Sequence, residues 1–520
     1  MKKEKNKSTL MMNYLKNRSI SFIKSSLLVC VFIILNNNLL AQEIKYDTIP
    51  KYSFMTIQEF WEQMDDIFSD PNFNSAHWGV VIQSLNTGEY FYKRNENKLF
   101  MPASNLKLFT TSSGLLSLGA KYKYPTEIYM SGKTDGSIIN GNLIIKGYGD
   151  PAISGRFFND NMFQVFEDWA DSLLDLGFDE ITGNIIGDDN AFDDKGLGSG
   201  WSWDYESDWF AAPSGALSFN DNCVDINIIP SEKGKQAKVT ITPSTKYTVI
   251  IDNVLTVPKD SSSYIDVYRE RGTNIIKISG TIKEDSPIQK QWVTVSNPTQ
   301  YFVVVFKEIL QKKGIKVKGY PIDVDDLSED IDYEKCDLLF THYSPTLEQL
   351  IRVINKSSQN FFAEQLLKTL GYKERGLGTD GNGIRVEKRI VENMGINTDG
   401  LQIVDGSGLS RMNMVSPSHI ANLLSYMSKD ESFEFFYKSL PIAGVDGTIA
   451  NRMKKARTQN NVRAKTGYIG GARSLSGYVY TGDKELIAFS MMVNNFTVPS
   501  VLADAIQDLV CLRLANFKRK

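Results

Sequence analysis

The most informative segment of the chain reads Pro102-Ala-Ser-Asn-Leu-Lys-Leu-Phe-Thr-Thr-Ser-Ser-Gly-Leu-Leu-Ser-Leu-Gly119. Pro102 and Ser104 are residue types that favour the first turn of a helix, and Gly119 is a type that ends one, so the segment predicts a helix. Ser104 and Lys107 stand three positions apart, which places both side chains on one helix face. A lysine there can take the serine proton if burial and neighbouring groups keep its amine uncharged.

Two further short motifs follow, and each of the three is weak alone. Ser358-Gln-Asn360 is a Ser-x-Asn motif, and Lys465-Thr-Gly467 occurs once, but Ser-x-x-Lys also matches Ser21–Lys24 and Ser-x-Asn also matches Ser84–Asn86. Taken alone, a Ser-x-x-Lys motif such as Ser104 with Lys107 is more often a serine that caps a helix and a lysine on the surface than a catalytic pair. The ordered combination is more specific, because penicillin-binding proteins and serine β-lactamases carry these three motifs.

Composition excludes several classes of protein. The chain has 520 residues, of which 42% are hydrophobic and 23% charged, with a net charge of −3. These values are typical of globular proteins, and they exclude disorder, collagen and coiled coil for the chain as a whole. The near balance of acidic and basic residues gives no indication of a basic surface that would bind nucleic acid. The length predicts more than one domain, because single cores stop growing at roughly 250–300 residues.

The chain is poor in histidine, with only His77, His342 and His419. This argues against zinc sites built on histidine. A Ser-His-Asp triad is possible but less favoured, because few histidines are available. The motif Gly376-Leu-Gly-Thr-Asp-Gly381 has the spacing of a dinucleotide-binding loop, but such a loop follows a strand. Here the motif follows a predicted helix, so it does not predict a dinucleotide site. We therefore predict no metal and no cofactor.

The N-terminus carries the pattern of a secretory signal peptide over residues 1–41. Basic residues between Lys2 and Lys24 precede the apolar run Ser26–Leu35, and the small residue Ala41 follows. About ten apolar residues are fewer than the ~20 that span a bilayer, so an uncleaved membrane anchor is the less favoured alternative. The pattern predicts secretion across the inner membrane into the periplasm, with cleavage after Ala41.

The mature chain would keep three cysteines, Cys223, Cys336 and Cys511. An odd number at wide spacing is not a disulfide framework. One bridge could form among them, and the sequence does not say which.

Periodicity predicts a domain that is split in the chain. Hairpins are expected at Trp78–Tyr92 and at Leu475–Val493, and the second would extend a sheet begun by the first. Short alternating strands dominate residues 125–295, with one helix at Asn161–Leu176. We therefore expect an α/β domain over residues 42–124 and 296–520, interrupted by a β-rich insert over 125–295.

Helical periodicity marks the rest of the expected α/β domain. The predicted helices are Thr56–Phe68, Tyr301–Lys313, Leu347–Leu370, Gly383–Met394, Pro417–Ser428 and Val501–Ala515. The last helix, followed by Lys518-Arg-Lys520, could lie on a membrane surface. Its apolar stripe is more typical of core packing, which we favour over membrane association.

Several longer strings resemble one family. They are Val295–Pro298, Asn355–Glu364, Asp405-Gly-Ser-Gly-Leu-Ser-Arg411, Pro441–Thr448 and Ala464–Gly467. Together they look like the D-alanyl-D-alanine carboxypeptidase/endopeptidase family, the class C low-molecular-mass penicillin-binding proteins of peptidase family S13. The resemblance runs from about Trp78 to the C-terminus. The fold class that it implies is multidomain α/β, with a β-lactamase/transpeptidase-like domain, an antiparallel sheet flanked by helices, interrupted by the β-rich insert.

The resemblance implies roles for the motif residues. Ser104 would be the acylated nucleophile and Lys107 its general base. Ser358 would relay protons, and Asn360 would position Lys107 and the substrate amide. Peptidoglycan stem peptides ending in D-Ala-D-Ala, and D-Ala–diaminopimelate cross-links, would be the substrates. β-Lactam antibiotics would acylate Ser104 as covalent inhibitors.

Further residues would bind the substrate. Lys465 and Thr466 would engage its terminal carboxylate, Gly467 would let its backbone approach, and the N–H groups of Ser104 and Tyr468 would form the oxyanion hole. Tyr468 departs from the family, in which a small hydroxyl residue is common at that position.

The loop Gly200-Trp-Ser-Trp-Asp204 lies within the insert. Some relatives place an acidic residue two positions after the second tryptophan, to bind the amine of diaminopimelate. Tyr205 stands there in this chain, and Asp204 is our candidate substitute.

Two other functions share these motifs. A serine β-lactamase would need fast deacylation of penicillin, and the large insert disfavours it. A catalytically silent peptidoglycan-binding scaffold would be expected to lack a motif residue, and none is missing. The sequence leaves open the oligomeric state, the role of the insert and the ratio of carboxypeptidase to endopeptidase activity.

Overall fold

The computed structural model describes residues 52–454 and 456–520. The predicted signal peptide and its cleavage site lie outside the described residues. Across the described part no helix combines the length and apolar character that crossing a membrane requires.

The main sheet is antiparallel and has five strands. In spatial order they are β19 (Arg463–Ile469), β20 (Ala472–Tyr480), β21 (Leu486–Asn494), β2 (His77–Ser84) and β3 (Tyr90–Arg94). Both predicted hairpins are present, and β21 pairs with β2 from His77 opposite Asn494 to Ser84 opposite Ile487. The closing hairpin therefore extends the sheet begun by the first, as expected, and leaves β19 at a sheet edge.

Helices cover both faces of the main sheet. Along β21, Ile487, Phe489 and Met491 pack on one face, while Ala488 and Met492 pack on the other. This alternation follows from the two-residue repeat of a strand. The first face is covered by α1 (Ile57–Phe68) and α10 (Ser500–Asn516). The second is covered by α2 (Lys107–Leu118), α5 (Leu347–Lys356), α6 (Asn360–Arg375), α7 (Asp380–Asn393), α8 (Pro417–Met427) and α9 (Phe433–Ser439).

The two ends of the described chain meet beside this layer. Strand β1 (Ser53–Met55) pairs in parallel with β22 (Phe517–Arg519). Helix α10 buries Ile506, Val510 and Leu514 in the core it shares with the main sheet. Neither β1, β22 nor α9 was predicted, because short segments carry too little periodicity.

A second core lies between the motifs and is mostly β. It contains α3 (Gln164–Asp175), α4 (Pro298–Lys312) and four sheets of three to five strands. The strands are β4 (Pro125–Ser131), β5 (Lys133–Asp135), β6 (Ile138–Asn140), β7 (Leu143–Gly147), β8 (Glu180–Ile181), β9 (Ile185–Asp188), β10 (Cys223–Ile229), β11 (Lys238–Thr242), β12 (Val249–Val257), β13 (Tyr264–Arg269), β14 (Ile275–Lys283), β15 (Gln289–Thr294), β16 (Lys316–Val317), β17 (Pro321–Asp323) and β18 (Cys336–Tyr343). The predicted helix at Asn161–Leu176 corresponds to α3.

Strand pairing carries this region beyond the predicted boundary at residue 295. Strand β18 pairs with β4, and β17 pairs with β9, so residues 125–343 form what we call the inserted region. Helix α4 packs in the same core through Phe302 and Phe306. The boundary was placed where helical periodicity returns, and periodicity does not show which core a helix packs against.

The predicted helix Leu347–Leu370 is two helices. Helix α5 ends at Lys356 and α6 begins at Asn360, with Ser358 between them at a φ of 57°. A single helix was predicted because apolar spacing continues across the break. The three cysteines in the described residues, Cys223, Cys336 and Cys511, are unpaired.

Candidate active site

The turn that carries Ser104 lies directly before α2. A short 3-10 turn covers Ala103–Leu106 and α2 begins at Lys107, so the predicted helix starts as a tighter turn. Ala103 has a φ of 47°, a region that costs a non-glycine residue roughly 1–2 kcal/mol. This strained turn leaves Ser104 half-buried beside a fully buried Lys107.

The amine of Lys107 contacts three oxygens. Its Nζ lies 3.0 Å from Ser104 Oγ, 2.6 Å from Asn360 Oδ1 and 2.7 Å from the Ser407 carbonyl oxygen. Burial lowers the pKa of Lys107 to about 7, although the acidic groups of Glu364 and Asp405 act in the opposite direction. A lysine in this state can take a proton from Ser104 near neutral pH.

A second lysine lies across from the first. Lys465 Nζ donates to Ser358 Oγ at 2.8 Å and to the Thr466 carbonyl at 2.8 Å. Burial, then the charges of Lys107 and Arg473, hold the pKa of Lys465 well below its usual range. The hydroxyl of Thr466 donates to Thr448 Oγ1 at 2.7 Å. Ser358 lies in the break between α5 and α6, so this break brings the Ser358 hydroxyl to Lys465.

Edge strand β19 passes directly against the serine turn. A Cβ atom at Gly467 would lie 2.6 Å from the Pro102 carbonyl oxygen, closer than atoms can pack, and 3.1 Å from the Ser104 nitrogen, a tight contact. The Asn105 side chain donates to the Lys465 carbonyl at 2.9 Å, and Ser474 Oγ donates to Pro102 at 2.7 Å. These contacts fix Ser104 to the sheet edge.

The backbone N–H of Tyr468 lies on the free side of β19. The N–H of Ala464 donates to the Pro441 carbonyl, on the side away from β20. N–H groups alternate along a strand, so the N–H of Tyr468 lies on that same side. The Tyr468 side chain is 60% exposed, with Arg473 over its ring.

The tryptophan loop of the inserted region also contacts the site. Trp201 Nε1 donates to Asp405 Oδ2 at 2.9 Å, and the Phe210 carbonyl accepts from Asn360 Nδ2 at 2.7 Å. Asp204 is exposed on the short turn Trp203–Tyr205 of this loop. The described residues show no hydrogen bond from Asp204 to the other predicted site residues.

Residues 60–515 match the D-Ala-D-Ala carboxypeptidase 3 (S13) family. The chain belongs to the S13 family. A D-alanyl-D-alanine carboxypeptidase from an Actinomadura species is 30% identical over 472 residues, which cover 89% of this chain and 85% of that protein. The D-alanyl-D-alanine carboxypeptidase DacB of Haemophilus influenzae is 25% identical over 460 residues, which cover 86% of this chain and 90% of the relative.

A solved structure shares the fold. Penicillin-binding protein 4 (dacB) of Haemophilus influenzae superposes with a TM-score of 0.77 at 24% identity, covering 87% of this chain and 99% of that one. A second structure of that protein, in complex with a β-lactam, gives a TM-score of 0.71 at 23% identity and covers 86% of this chain and 97% of its own. The family and the fold class predicted from the sequence are therefore confirmed.

Sequence reasoning assigned no role to several polar residues of this S13 site. Glu364 Oε2 and Oε1 accept the N–H groups of Gly406 and Ser407, each at 2.8 Å. Asp405 accepts the N–H groups of Gly408 at 2.8 Å and Ser410 at 2.6 Å. Both acids lie inside strings that carried the family resemblance. Glu364 binds two backbone N–H groups, and Asp405 binds backbone N–H groups together with the distant Trp201 indole, and such contacts leave no chemical signature in a sequence.

Proposed function

We propose that this S13 protein is a serine-type D-Ala-D-Ala carboxypeptidase and endopeptidase that acts on peptidoglycan through an acyl-enzyme. The observation that carries the proposal is the 3.0 Å contact between Ser104 Oγ and the buried Nζ of Lys107, whose pKa is lowered to about 7. The names of the Actinomadura and Haemophilus relatives support the substrate class.

Acylation follows from these positions. Ser104 Oγ attacks the carbonyl carbon of the penultimate D-Ala and passes its proton to Lys107 Nζ. The bond from that carbon to the nitrogen of the leaving residue then breaks, and the nitrogen receives the proton through Ser358 Oγ. Lys465, which donates to Ser358 Oγ, holds that hydroxyl in place. In deacylation water attacks the ester carbon, Lys107 takes its proton, and Ser104 Oγ leaves with a proton restored.

Substrate binding uses the edge strand. Lys465 and Thr466 bind the terminal carboxylate of the peptide, and the N–H groups of Ser104 and Tyr468 stabilise the oxyanion. Loss of one such donor costs roughly 2.7–4 kcal/mol in comparable enzymes. The bare backbone at Gly467, which packs against Pro102, supports this close approach.

Asp204 binds the amine of the diaminopimelate side chain in this proposal. Its support is position. Trp201 in the same loop donates to Asp405, and Phe210, on the next short turn of the chain, accepts from Asn360. Asp204→Asn should raise KM for cross-linked dimers that carry this amine and leave KM for substrates lacking it unchanged. An equal change for both would overturn the assignment.

Covalent labelling tests the nucleophile. A solved relative binds a β-lactam, and we expect penicillins to acylate Ser104 here. A fluorescent penicillin should label the wild type and leave Ser104→Ala unlabelled. Equal labelling of the two proteins would contradict the assignment. Rapid release of hydrolysed penicillin from the wild type would instead favour a β-lactamase.

Purified cross-linked muropeptides separate the two peptidase activities. Loss of dimers would show endopeptidase activity, and release of D-Ala with intact cross-links would show a carboxypeptidase alone. Secretion into the periplasm remains part of the proposal and rests on the basic and apolar pattern of residues 1–41. Cell fractionation with N-terminal sequencing tests it, and recovery of an intact N-terminus in the cytoplasm would contradict it.

A further inference from the structure

Besides Ser104, the catalytic lysine has two acceptors, of which one belongs to helix α6 and the other to a loop that packs on it. Asn360, the first residue of α6, contacts Lys107 Nζ directly through Oδ1 at 2.6 Å. The other acceptor is the Ser407 carbonyl at 2.7 Å, which lies in an irregular loop. A loop carbonyl holds its place only if something else fixes the loop.

Glu364 fixes that loop. It stands four positions after Asn360, so the two side chains lie on the same face of α6. Its two carboxyl oxygens accept the N–H groups of Gly406 and Ser407, each at 2.8 Å, and Glu364 is 2% exposed. Gly406 lies against α6, since a Cβ atom there would be 2.7 Å from the Ala363 carbonyl oxygen.

We propose that Glu364 is a positioning residue for the catalytic lysine: it clamps the Gly406–Ser407 peptide onto α6 and so aims the Ser407 carbonyl at Lys107 Nζ. One helix face then sets both acceptors of the base. The inference rests on the proposed function, in which Lys107 is the base that activates Ser104.

Charge gives the clamp a second effect. When Glu364 is ionised, its negative charge raises the pKa of Lys107, against the larger effect of burial. Burial and the charge of Asp405 raise the pKa of Glu364 itself to about 8, whereas the hydrogen bonds from Ser407 and Gly406 favour its ionised form. The other charged groups that act on this pair are Asp405, Asp380, Glu387 and Lys465. Replacing Glu364 with a neutral side chain should therefore move the titration of Lys107 to lower pH.

The experiment measures the rate of penicillin acylation against pH for the full mature chain. Glu364→Gln keeps the shape but presents an amide NH₂ to one of the two N–H groups. We expect acylation about 10- to 100-fold slower on the alkaline plateau, because misplacement of about 1 Å can cost that much. We also expect the acidic limb of the pH–rate profile, over which the rate falls as Lys107 is protonated, to move down by roughly 0.5–1 pH unit.

Glu387→Gln is the matched control. Glu387 is also fully buried, on the neighbouring helix α7, and burial with the acids Glu364 and Asp405 raises its pKa well above the usual range. Both N–H groups of the Gly406–Ser407 peptide donate to Glu364 and not to Glu387, and the acids that act on the pKa of Lys107 are Glu364 and Asp405. An amide at position 387 should therefore leave both rate and limb close to wild type. An equal loss of rate in both variants, with no shift of the limb, would reduce Glu364 to core packing and overturn the proposal.

Gly406→Ala keeps the experiment decisive if Glu364→Gln fails to fold. The added Cβ pushes the loop away from the Ala363 carbonyl and leaves the Glu364 charge in place. Slower acylation is expected, and a wild-type rate would contradict the clamp. A wild-type protein that penicillin does not label at Ser104 would instead refute the proposed function, whatever the variants do.

Discussion

Lys107 and Asn360 lie 253 positions apart in the chain, and their side chains meet at 2.6 Å through Nζ and Oδ1. Asn360 also donates from Nδ2 to the Phe210 carbonyl at 2.7 Å, which fixes which end of the amide faces the lysine. The first motif, the second motif and the inserted region are thus joined at one side chain. Changes at Asn360 should therefore act on Lys107, the proposed base.

Asn360→Asp should shift the acylation profile to higher pH. A carboxylate in place of the amide would stand beside Lys107 Nζ and stabilise its ammonium form, which raises the pKa by about 1–3 units. The acidic limb should move up by about that amount, with slower acylation at pH 7. Stopped-flow acylation from pH 5 to 10 measures it, with Asn74→Asp, at an exposed position, as the control. An unmoved limb would contradict the role of Asn360.

Lys107→Arg should abolish most of the acylation. The wild-type rate is expected to fall as pH drops through about 7, since protonated Lys107 cannot accept the Ser104 proton. A guanidinium stays charged across that range, so the variant should lose roughly 10²–10⁴-fold and show no limb near 7. The measurement is acylation rate against pH. A limb near 7 that persists in Lys107→Arg would assign it to another group.

The three motifs and the hairpins could be predicted because they are local patterns. Ser104 with Lys107, and Lys465 with its glycine, carry side-chain chemistry at fixed spacing, and the strands carry alternation. The break at Ser358 was missed because one residue in an unusual φ leaves the apolar spacing on either side intact. Glu364 and Asp405 were given no role because their partners, backbone N–H groups and for Asp405 also the Trp201 indole, come together only in the folded chain.

Trp201→Phe should weaken the link between the inserted region and the site. The indole N–H donates to Asp405 Oδ2 at 2.9 Å, and Asp405 is fully buried. Removing the donor leaves a buried charged acceptor short of one partner, at a cost of about 1–3 kcal/mol. A lower Tm and slower acylation are expected. Trp203→Phe is the control, because Trp203 is 69% exposed. Equal Tm values for the two variants would contradict the link.

Gly408→Ala should disable the site while Gly471→Ala should not. Both glycines have left-handed φ values, 83° and 79°, so alanine at either strains the backbone by a similar amount of roughly 1–2 kcal/mol. They differ in the room available for the added Cβ atom. A Cβ at Gly408 would lie 1.9 Å from the Ala103 carbonyl oxygen, in the turn that carries Ser104, whereas nothing lies within 4 Å of one at Gly471.

The two alanine variants therefore separate strain from displacement. Gly471→Ala should lower Tm slightly and keep the acylation rate within about twofold. Gly408→Ala should lower Tm further and slow acylation by about 10²-fold, because the nucleophile turn must move away from the Asp405–Arg411 loop. Acylation rates measured at a temperature well below both Tm values make the comparison. Matching losses in the two variants would show that backbone strain alone, and not displacement of Ser104, limits the site.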